Sequence, residues 1–247
     1  MALARGVRAI FFWSLSLILP IHSPPPPRPQ LDENTTLLQS CRLLIQHKID
    51  FLPVILPQDL RCIGVLTYTI IIDYLVTHFR EQRRLFDDSI GELGIGTYEN
   101  IILANTGMKL IEVLTLMNKN KLSAVPVVDE EGKVVDVYSC SDITFLATAT
   151  DADSAVANLQ LPLGEVLALQ HVDVTTGDKL CKGTVNQSLQ YTFEVFSISK
   201  FNRLILVDEG DRVVGIVSAK DLVSYFVTHS EEDDDVTAGK VARGNFD

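Results

Sequence analysis

The chain has 247 residues, of which 47% are hydrophobic, and this is enough to bury a core in one domain or in two small ones. Its formal net charge of −11 provides no basic stripe to displace the counterions of a nucleic acid, so RNA and DNA are excluded as expected partners. The four cysteines show no C-x-x-C spacing and no neighbouring histidine pattern, so neither a metal site nor a disulfide framework is predicted.

The chain begins with an apolar leader. Arg5 and Arg8 precede an apolar stretch from Ala9 to Ile21, which is similar to the core of a secretory signal peptide. It is shorter than the roughly 20 apolar residues that a membrane span needs. The alternative is an amphiphilic leader on a cytosolic protein. The proline-rich residues 24–29 follow and predict an extended spacer, because proline lacks the backbone donor of a helix or sheet.

The next segment predicts a helix, a hairpin and a second helix. Helical spacing of apolar residues covers 41–49 and 68–79, and between them β-branched runs predict strands at 51–55 and 62–66. Pro53 in the first strand has a counterpart 73 residues later, at Pro126. We therefore interpret this segment as a degenerate copy of a unit that recurs twice further along the chain.

The second copy is clearer. Residues 108–120 have the spacing of an amphipathic helix, and two β-branched runs, 124–128 and 134–138, flank an acidic turn and predict a hairpin. Ser139 and Asp142 then form a Ser-x-x-Asp phrase, which is a capping-box variant with aspartate in place of glutamate. The phrase predicts the start of another helix.

The third copy repeats this order. It predicts a helix at 190–199, strands at 204–207 and 213–217, and a helix at 219–226. Ser218 and Asp221 lie 79 residues after Ser139 and Asp142 and restate the same phrase. Paired copies of such a unit enclose a cleft.

The periodicity predicts an α+β fold built from βαββα-type units. The expected organisation is an apolar leader with its spacer, a degenerate repeat (the first repeat), two further repeats (the middle and last repeats), and an acidic tail. Their predicted bounds are 1–31, 32–80, 93–150, 163–228 and 229–247. The acidic run 231–235 is typical of a solvated tail, because its like charges repel one another.

The unit resembles the CBS domain, and three phrases together resemble the gamma subunits of AMP-activated protein kinase. These phrases are Ile95-Gly-Thr-Tyr98, Leu122-Ser-Ala-Val-Pro-Val-Val-Asp129 and Gly215-Ile-Val-Ser-Ala-Lys-Asp221. The resemblance covers about residues 33–228. It implies tandem CBS repeats that pair into Bateman modules and hold adenine nucleotides. In the family four repeats form two pairs, and the equivalent of the first is absent from this sequence.

The phrases supply candidate ligand-binding residues. A carboxylate at a helix start can accept ribose hydroxyls, and the amino terminus behind it tolerates a phosphate. Simple helix capping is the alternative for Ser139, Asp142, Ser218 and Asp221. The resemblance adds residues beside the adenine and the phosphate. The complete candidate set for nucleotide binding is Thr97, Leu122, Ser123, Ser139, Asp142, Asn202, Arg203, Ser218 and Asp221.

The sequence also departs from the family pattern at positions expected to contact phosphate or adenine. Asn202 stands where histidine is usual, Val172 replaces an arginine, and Asp50 lies where the family has a His-Arg pair. Residues 68–70 replace a basic stretch, and Ile102 replaces a small residue beside the adenine. Lost cations and an added carboxylate predict weaker phosphate binding.

The resemblance implies a non-catalytic regulatory subunit whose ligands are AMP, ADP and ATP, with no cofactor and no metal. Its expected partners are the catalytic alpha and scaffold beta subunits of the kinase. The alternative is an assembly module with weak or lost nucleotide binding. No nucleophile, metalloprotease or P-loop motif indicates an enzyme. We expect a cytoplasmic location, with the nucleus as an alternative, and the apolar amino terminus leaves a secreted or membrane-anchored form open.

Overall fold

The computed structural model describes residues 29–32, 35–56, 58–78, 87–143, 151–170 and 180–229. The predicted apolar leader and the acidic run 231–235 both lie outside these residues. The described residues belong to two compact units. The middle-repeat unit contains Ile102–Leu180 and Glu209–Val213, and the two-repeat unit contains Pro29–Ile101, Cys181–Asp208 and Val214–Asp247.

The strands are short and form small sheets between helices. The strands are β1 Phe51–Leu56, β2 Arg61–Thr67, β3 Ala104–Asn105, β4 Ala124–Val128, β5 Val134–Ser139, β6 Lys182–Gly183, β7 Arg203–Val207 and β8 Val213–Ser218. The helices are α1 Leu37–His47, α2 Tyr68–His78, α3 Leu110–Asn120, α4 Ala152–Asn158, α5 Leu163–Gln170, α6 Leu189–Ser199 and α7 219–229. The α+β class and the tandem repeats predicted from the sequence are confirmed.

The hairpins of the first and middle repeats have matching registers. Phe51 lies opposite Thr67 in the first repeat, and Ala124 lies opposite Ser139 in the middle repeat. In the middle and last repeats a short parallel strand completes the sheet, since β3 pairs with β4 and β6 pairs with β7. In the first repeat this strand is reduced to a single parallel bridge from Leu31 to Val54. The degenerate copy therefore keeps the plan of the others with a shorter third strand.

The middle-repeat unit packs α3 and α5 against its sheet. Its core includes Leu110, Val113, Val127 and Tyr138, all fully buried. The chain before α5 is tied to the chain before α3, because Leu163 N–H donates to the Met108 carbonyl at 2.8 Å. The predicted last repeat begins at residue 163, and residues 163–170 form helix α5, which lies in the middle-repeat unit.

The two-repeat unit joins the first and last repeats in one hydrophobic core. Its fully buried side chains come from both repeats and include Leu44, Ile71, Leu189 and Leu222. Helices α2 and α6 pack together, and Ser197 Oγ donates to Asp73 Oδ1 at 2.7 Å. The helical side of the degenerate repeat therefore has a partner within the same chain.

The loop before the middle repeat also belongs to the two-repeat unit. Ile90 N–H donates to the Gln187 carbonyl at 3.0 Å, and Leu189 N–H donates to the Asp88 carbonyl at 2.9 Å. The antiparallel bridge between Ser89 and Ser188 has its equivalent in the bridge between Lys109 and Pro162 in the other unit. The linker before the middle repeat thus contacts the start of α6 in the last repeat. The linker before the last repeat contacts the start of α3 in the middle repeat.

The hairpin of the first repeat is exposed on one side. Phe51 is 58% exposed and Val65 is 47% exposed, whereas Val137, the register equivalent of Val65, is only 6% exposed. Ile63 and Leu60 extend this apolar surface. The first repeat therefore has a covered helical side and an open sheet side.

Candidate functional site

Ser139 and Asp142 form the core of the candidate site in the middle repeat. Strand β5 ends at Ser139, and a single helical turn follows over residues 140–143. The backbone N–H and the hydroxyl of Ser139 both donate to Oδ2 of Asp142, at 2.6 and 2.9 Å. Both residues are buried. The aspartate half of the predicted capping box is therefore present, with the carboxylate held at the start of a helical turn.

Leu122 and Ser123 lie beside this pair. The N–H of Cys140 donates to the Ser123 carbonyl at 2.8 Å, and the Leu122 carbonyl lies 3.8 Å from the Cys140 thiol. These contacts follow from the hairpin, because Ala124 lies opposite Ser139 in the register. The structure thus brings together all four candidate residues of the middle-repeat unit.

Tyr138 is a neighbour of the pair that the sequence analysis did not single out. Its side chain is fully buried and its hydroxyl has no hydrogen-bond partner among the described residues. Burial raises the pKa of this phenol, and the Asp142 carboxylate and Cys140 raise it further. The only signal in the sequence was its position, directly before the Ser-x-x-Asp phrase.

Ser218 and Asp221 repeat the arrangement in the last repeat. The Ser218 N–H and hydroxyl donate to Oδ2 of Asp221 at 2.8 and 2.7 Å, and the Asp221 N–H donates to the Ser218 hydroxyl at 3.3 Å. Both residues are half-buried, in contrast to the buried pair of the middle repeat. The second carboxylate is thus more open to solvent.

Asn202 and Arg203 lie beside this second pair. The N–H of Ala219 donates to the Asn202 carbonyl at 3.0 Å, which is the same contact that Cys140 makes with Ser123. Arg203 is the first residue of β7 and is half-buried, whereas Asn202 is exposed. The backbone of Asn202 is therefore part of the site, and its amide side chain is open to solvent.

Thr97 approaches the same site from the loop before the middle repeat. Its N–H donates to the Ile216 carbonyl at 2.8 Å, and the Ile216 N–H donates back to Thr97 at 2.9 Å. Gly96 makes this approach feasible, because its φ is +114° and an added Cβ would lie 2.6 Å from the Ile216 oxygen. The Thr97 side chain is exposed. Ile216 lies two residues before Ser218, so Thr97 is held near the pair.

Tyr98 is the next residue of this loop, and the charge of Asp221 affects its pKa. Its hydroxyl donates to the carbonyls of Ile90 and Ile95, at 3.2 and 2.9 Å. Burial raises the pKa of Tyr98, and the Asp221 carboxylate raises it further. The resemblance highlighted Thr97 of this phrase, whereas the structure also places the Tyr98 ring against Gly215 of β8.

The nine candidate residues therefore fall into two groups, one in each unit. The middle-repeat unit contains Leu122, Ser123, Ser139 and Asp142, and the two-repeat unit contains Thr97, Asn202, Arg203, Ser218 and Asp221. Each group includes one carboxylate at a helix start. The role of these residues in binding a nucleotide stays a prediction.

The first repeat has no carboxylate at the equivalent position. Its hairpin register makes Thr67 the counterpart of Ser139, and Ile70 then occupies the place of Asp142. The Ile70 N–H donates to the Thr67 hydroxyl at 3.3 Å, so the serine half of the cap is kept. Ile70 is 50% exposed. The degenerate repeat thus retains the cap and lacks the acid.

Other departures from the family pattern have different surroundings. Val172 lies outside the described residues. Ile102 is half-buried and packs against the core of the middle-repeat unit, which is an ordinary structural role. Asp50 is exposed immediately before β1.

The described residues contain neither a metal-binding cluster nor a membrane-spanning helix. Among these residues, no group of three or more histidine, cysteine or acidic side chains is placed to hold a metal ion. Within the same part of the chain, no helix has the length and apolar character needed to cross a membrane.

Comparison with known proteins assigns the fold to a family. The CBS domain matches residues 21–77, 94–147 and 184–228, which together make up more than half of the chain. The chain belongs to the CBS-domain family. The three matches correspond to the first, middle and last repeats.

The chain is also similar to gamma subunits of 5′-AMP-activated protein kinase. It is 31% identical over 199 residues to the gamma subunit of Dictyostelium discoideum and 27% identical over 203 residues to the human gamma-3 subunit. These alignments cover 79% and 81% of this CBS chain. They cover only 34% and 40% of the relatives, so the chain spans well under half the length of the curated relatives that it matches. The predicted resemblance is confirmed.

Solved structures support the fold. A Methanocaldococcus jannaschii protein, described as a candidate archaeal homologue of the kinase's gamma subunit, matches with a TM-score of 0.64 at 20% identity. That match covers 80% of this CBS chain and 66% of the archaeal one. A conserved protein of Pyrococcus horikoshii matches with a TM-score of 0.56 at 17% identity, over 79% and 77% of the two chains.

Proposed function

We propose that this CBS chain is a non-catalytic regulatory subunit that binds AMP, ADP or ATP and modulates a kinase of the AMP-activated type. The proposal rests on one observation, which is that the middle and last repeats hold an aspartate carboxylate in the same way. In both repeats a serine N–H and hydroxyl fix one aspartate oxygen at a helix start, at 2.6 to 2.9 Å. The similarity to gamma subunits supports the same function.

The geometry suits a ribose. With Oδ2 of Asp221 held by Ser218, the other oxygen, Oδ1, has no hydrogen bond among the described residues. A carboxylate oxygen accepts hydroxyl protons strongly, and the two hydroxyls of a ribose are such donors. The amino terminus of α7 behind the pair favours an anionic group. We infer that Asp221 orients a nucleoside through Oδ1, and that Asp142, whose Oδ2 is held by Ser139 in the same way, orients another.

Regulation would follow from unequal binding. A nucleotide shifts a kinase complex only to the extent that it binds one state more tightly than the other. The proposed partners are the catalytic alpha and scaffold beta subunits, because the relatives are gamma subunits of such a kinase. We also propose a cytoplasmic location for the assembled complex.

A second candidate function is an assembly module that binds nucleotide weakly or not at all. The cap hydrogen bonds account for Ser139, Asp142, Ser218 and Asp221 without any ligand. Asn202 carries no charge where the family has histidine, and Ile70 removes the acid from the first repeat. These features favour partner binding without nucleotide sensing.

Calorimetric titration of the full chain with AMP, ADP and ATP separates the two candidates. We expect saturable binding in the wild type and a loss of about tenfold or more in affinity at each site for Asp142→Asn and Asp221→Asn, since each removes the charged acceptor. Glu130→Gln and Glu209→Gln remove the same charge from exposed turns and serve as matched controls. Absence of saturable binding below about millimolar ligand would leave the assembly module as the better proposal.

The kinase partnership needs its own experiment. We expect the full chain to co-purify with alpha and beta subunits when the three are expressed together. Asp221→Asn should still co-purify, because the proposed role of Asp221 lies in binding nucleotide. If the wild-type chain is recovered alone under conditions in which alpha and beta associate, the proposed partnership is wrong.

A further inference from the structure

We propose that the outer edge of β2 in the first repeat binds a second copy of this chain, through antiparallel pairing of the two β2 strands about a two-fold axis at Arg61. In this pairing the Cys62 N–H of each copy donates to the Leu60 carbonyl of the other. The inference concerns assembly, so it goes beyond the proposed binding of nucleotides and does not depend on it.

A contact of this kind already exists between the hairpins of the middle and last repeats, within the middle-repeat unit. Lys133 and Arg212 form an antiparallel bridge, and the Val134 N–H donates to the Asp211 carbonyl at 2.9 Å. Lys133 and Arg212 are 79 residues apart (212 − 133), which is the offset between the two Ser-x-x-Asp phrases. Each is therefore the equivalent of the other in its own repeat. A contact between equivalent residues is self-complementary, as is an interface between two identical copies.

The corresponding edge of the first repeat is open. The registers pair Ile55 with Cys62 and Val128 with Val134 at the same point of the two hairpins, so Cys62 is the equivalent of Val134. Val134 is buried, whereas residues 61–65 of β2 are all exposed. Within the described part of the chain, no backbone group pairs along the outer edge of β2. An open strand edge with apolar side chains is suited to pairing with another strand.

Leu60 supports the assignment because its conformation is unfavourable in a free hairpin. It has a φ of +55° and is 74% exposed. The equivalent residues are Gly132, with a φ of +82°, and Asp211, with a φ of +62°, and both residue types adopt positive φ at lower cost. The Asp211 carbonyl is the acceptor in the contact with Val134. A leucine at this position gains a favourable role if a second copy buries its side chain.

The pairing places the Arg61 side chains of the two copies side by side, and the turn offsets their like charges. Arg61 Nε lies 3.3 Å from Asp59 Oδ2. Its equivalent, Lys133, likewise lies 2.8 Å from the carboxylate of Glu131, two residues earlier in the chain. Lys133 nevertheless forms a bridge with another cation, Arg212. Two cations can therefore lie opposite each other at this position when the turn supplies an acid.

The expected occupant is a second copy because the other two repeats already have partners at their outer edges. Lys133 of the middle repeat pairs with Arg212, and Ile216 of the last repeat pairs with Thr97. Among the described residues, the first repeat is the one whose second strand has no such bridge. Its self-complementary partner is the first repeat of another copy.

Sedimentation velocity of the full chain tests the assembly. One copy has a mass of 27.4 kDa. We expect this mass at about 1 µM protein and an approach to twice this mass by about 0.1 mM, because a contact limited to one strand edge is small. The mass of a single copy throughout this range would overturn the proposal.

Ile63→Glu tests the edge. Pairing about Arg61 places residue 63 opposite Asp59 of the second copy, so the new carboxylate meets a like charge. We expect the dissociation constant of the dimer to rise about tenfold or more. Ile198→Glu is the matched control, because Ile198 is an exposed isoleucine of α6 in the same unit, and it should change nothing. A dimer that tolerates Ile63→Glu would have its interface elsewhere and would contradict the proposal.

Leu60→Gly separates the interface from folding. Glycine adopts positive φ readily, so thermal stability at about 1 µM, where the chain is a single copy, should be unchanged or higher. The dimer should weaken about fivefold, because the apolar side chain no longer contributes. An unchanged dissociation constant would exclude Leu60 from the interface and overturn the register.

A disulfide tests the register directly. Arg61→Cys, in a chain that also carries Cys62→Ser and Cys140→Ser, should give a cross-linked dimer under mild oxidation. Opposite residues of a non-hydrogen-bonded antiparallel pair lie about 4.5 Å apart, within the range of a disulfide. Lys133→Cys in the same background is the matched control and should not cross-link, since Arg212 already faces it. Absence of cross-linking for Arg61→Cys would show that the pairing is wrong.

The kinase subunits are the alternative occupant of this edge. If the chain is a single copy at all concentrations and Ile63→Glu prevents its co-purification with alpha and beta, the edge binds those subunits and self-association is wrong. If the dimer forms and responds as expected while no nucleotide binds, the proposed function fails and this inference stands.

Discussion

The Ser139 backbone and side chain both donate to one oxygen of Asp142, and both residues lie below the surface, with exposed fractions of 2% and 7%. The equivalent bonds of Ser218 to Asp221 are of similar length, 2.8 and 2.7 Å, at half-buried positions. The two Ser–Asp pairs therefore have the same hydrogen bonds, but one pair is buried and the other is half-buried. A lost hydrogen bond is more unfavourable where water cannot replace it.

We expect Ser139→Ala to destabilise the chain more than Ser218→Ala. The free energy of unfolding should fall by about 2 kcal/mol for the buried site and by about 1 kcal/mol for the half-buried one. Urea denaturation followed by circular dichroism measures both. Equal losses would show that burial does not set the strength of this cap.

Because of the Asp73 carboxylate, the free energy of unfolding of the two-repeat unit should fall at acidic pH. The pKa of Asp73 is lowered from its ordinary value of 3.8 by hydrogen bonds from Lys200 and Ser197. Because the folded-state pKa lies below the unfolded one, the stabilisation is complete above the unfolded pKa and is lost as the pH falls through the folded pKa.

The measurement is urea denaturation of wild type and Asp73→Asn from about pH 7 to about pH 3. The wild type should be the more stable protein at neutral pH, and the difference between the two should narrow below about pH 4. A constant difference across this range would mean that the Asp73 charge contributes nothing to stability.

Gly96 and Gly94 provide a matched pair of backbone substitutions. Both have positive φ, +114° and +64°, but a Cβ on Gly96 would lie 2.6 Å from the Ile216 carbonyl oxygen, whereas one on Gly94 would meet nothing within 4 Å. We expect Gly96→Ala to lower the free energy of unfolding by about 3 kcal/mol and Gly94→Ala by about 1 kcal/mol. Similar losses would argue against a tight approach of the Thr97 loop to β8.

Ile70→Asp should restore the acid of the cap in the first repeat. Ile70 is 50% exposed, so little apolar burial is lost, and the new carboxylate would lie in the first turn of α2. We expect the free energy of unfolding to rise by about 0.5 kcal/mol, from the cap and the helix dipole together. Ile70→Asn is the uncharged control and should give a smaller gain, so equal effects of the two would exclude the charge as the cause.

The half-buried Tyr98 and the buried Tyr138 should respond differently to loss of the hydroxyl. Tyr98 donates to two carbonyls, whereas Tyr138 has no partner among the described residues. Tyr98→Phe should therefore lower the free energy of unfolding by about 1 to 2 kcal/mol, and Tyr138→Phe should leave it unchanged or raise it. Thermal denaturation of the two variants checks this order, and a large loss for Tyr138→Phe would contradict it.

The repeat pattern alone predicted the hairpins within about two residues, because β-branched runs between turn residues have few other conformations. The Ser-x-x-Asp phrases likewise predicted the cap bonds, which form between neighbours in the sequence. Both are local features. Local features can be predicted from sequence when side-chain type and spacing decide them.

Long-range features could not be predicted in the same way. Nothing in the spacing of Ile71 or Leu189 identifies which helix each side chain contacts, so the shared core of the first and last repeats was not foreseen. Strand β3 has only two residues, too few for a periodic signal. The pairing of Thr97 with Ile216 also joins residues far apart in the sequence, for which spacing gives no signal.

The shared core of the two-repeat unit has a consequence for synthesis of the chain. Asp73 and its hydrogen-bond partner Ser197 are separated by 124 positions. At about 5–20 residues per second, the ribosome needs roughly 6–25 s to make the intervening chain. During that interval the apolar face of α2 has no α6 to cover it. The first repeat is therefore expected to depend on chaperones until the last repeat emerges, and ribosomes stalled between the two should expose a nascent chain that holdases bind.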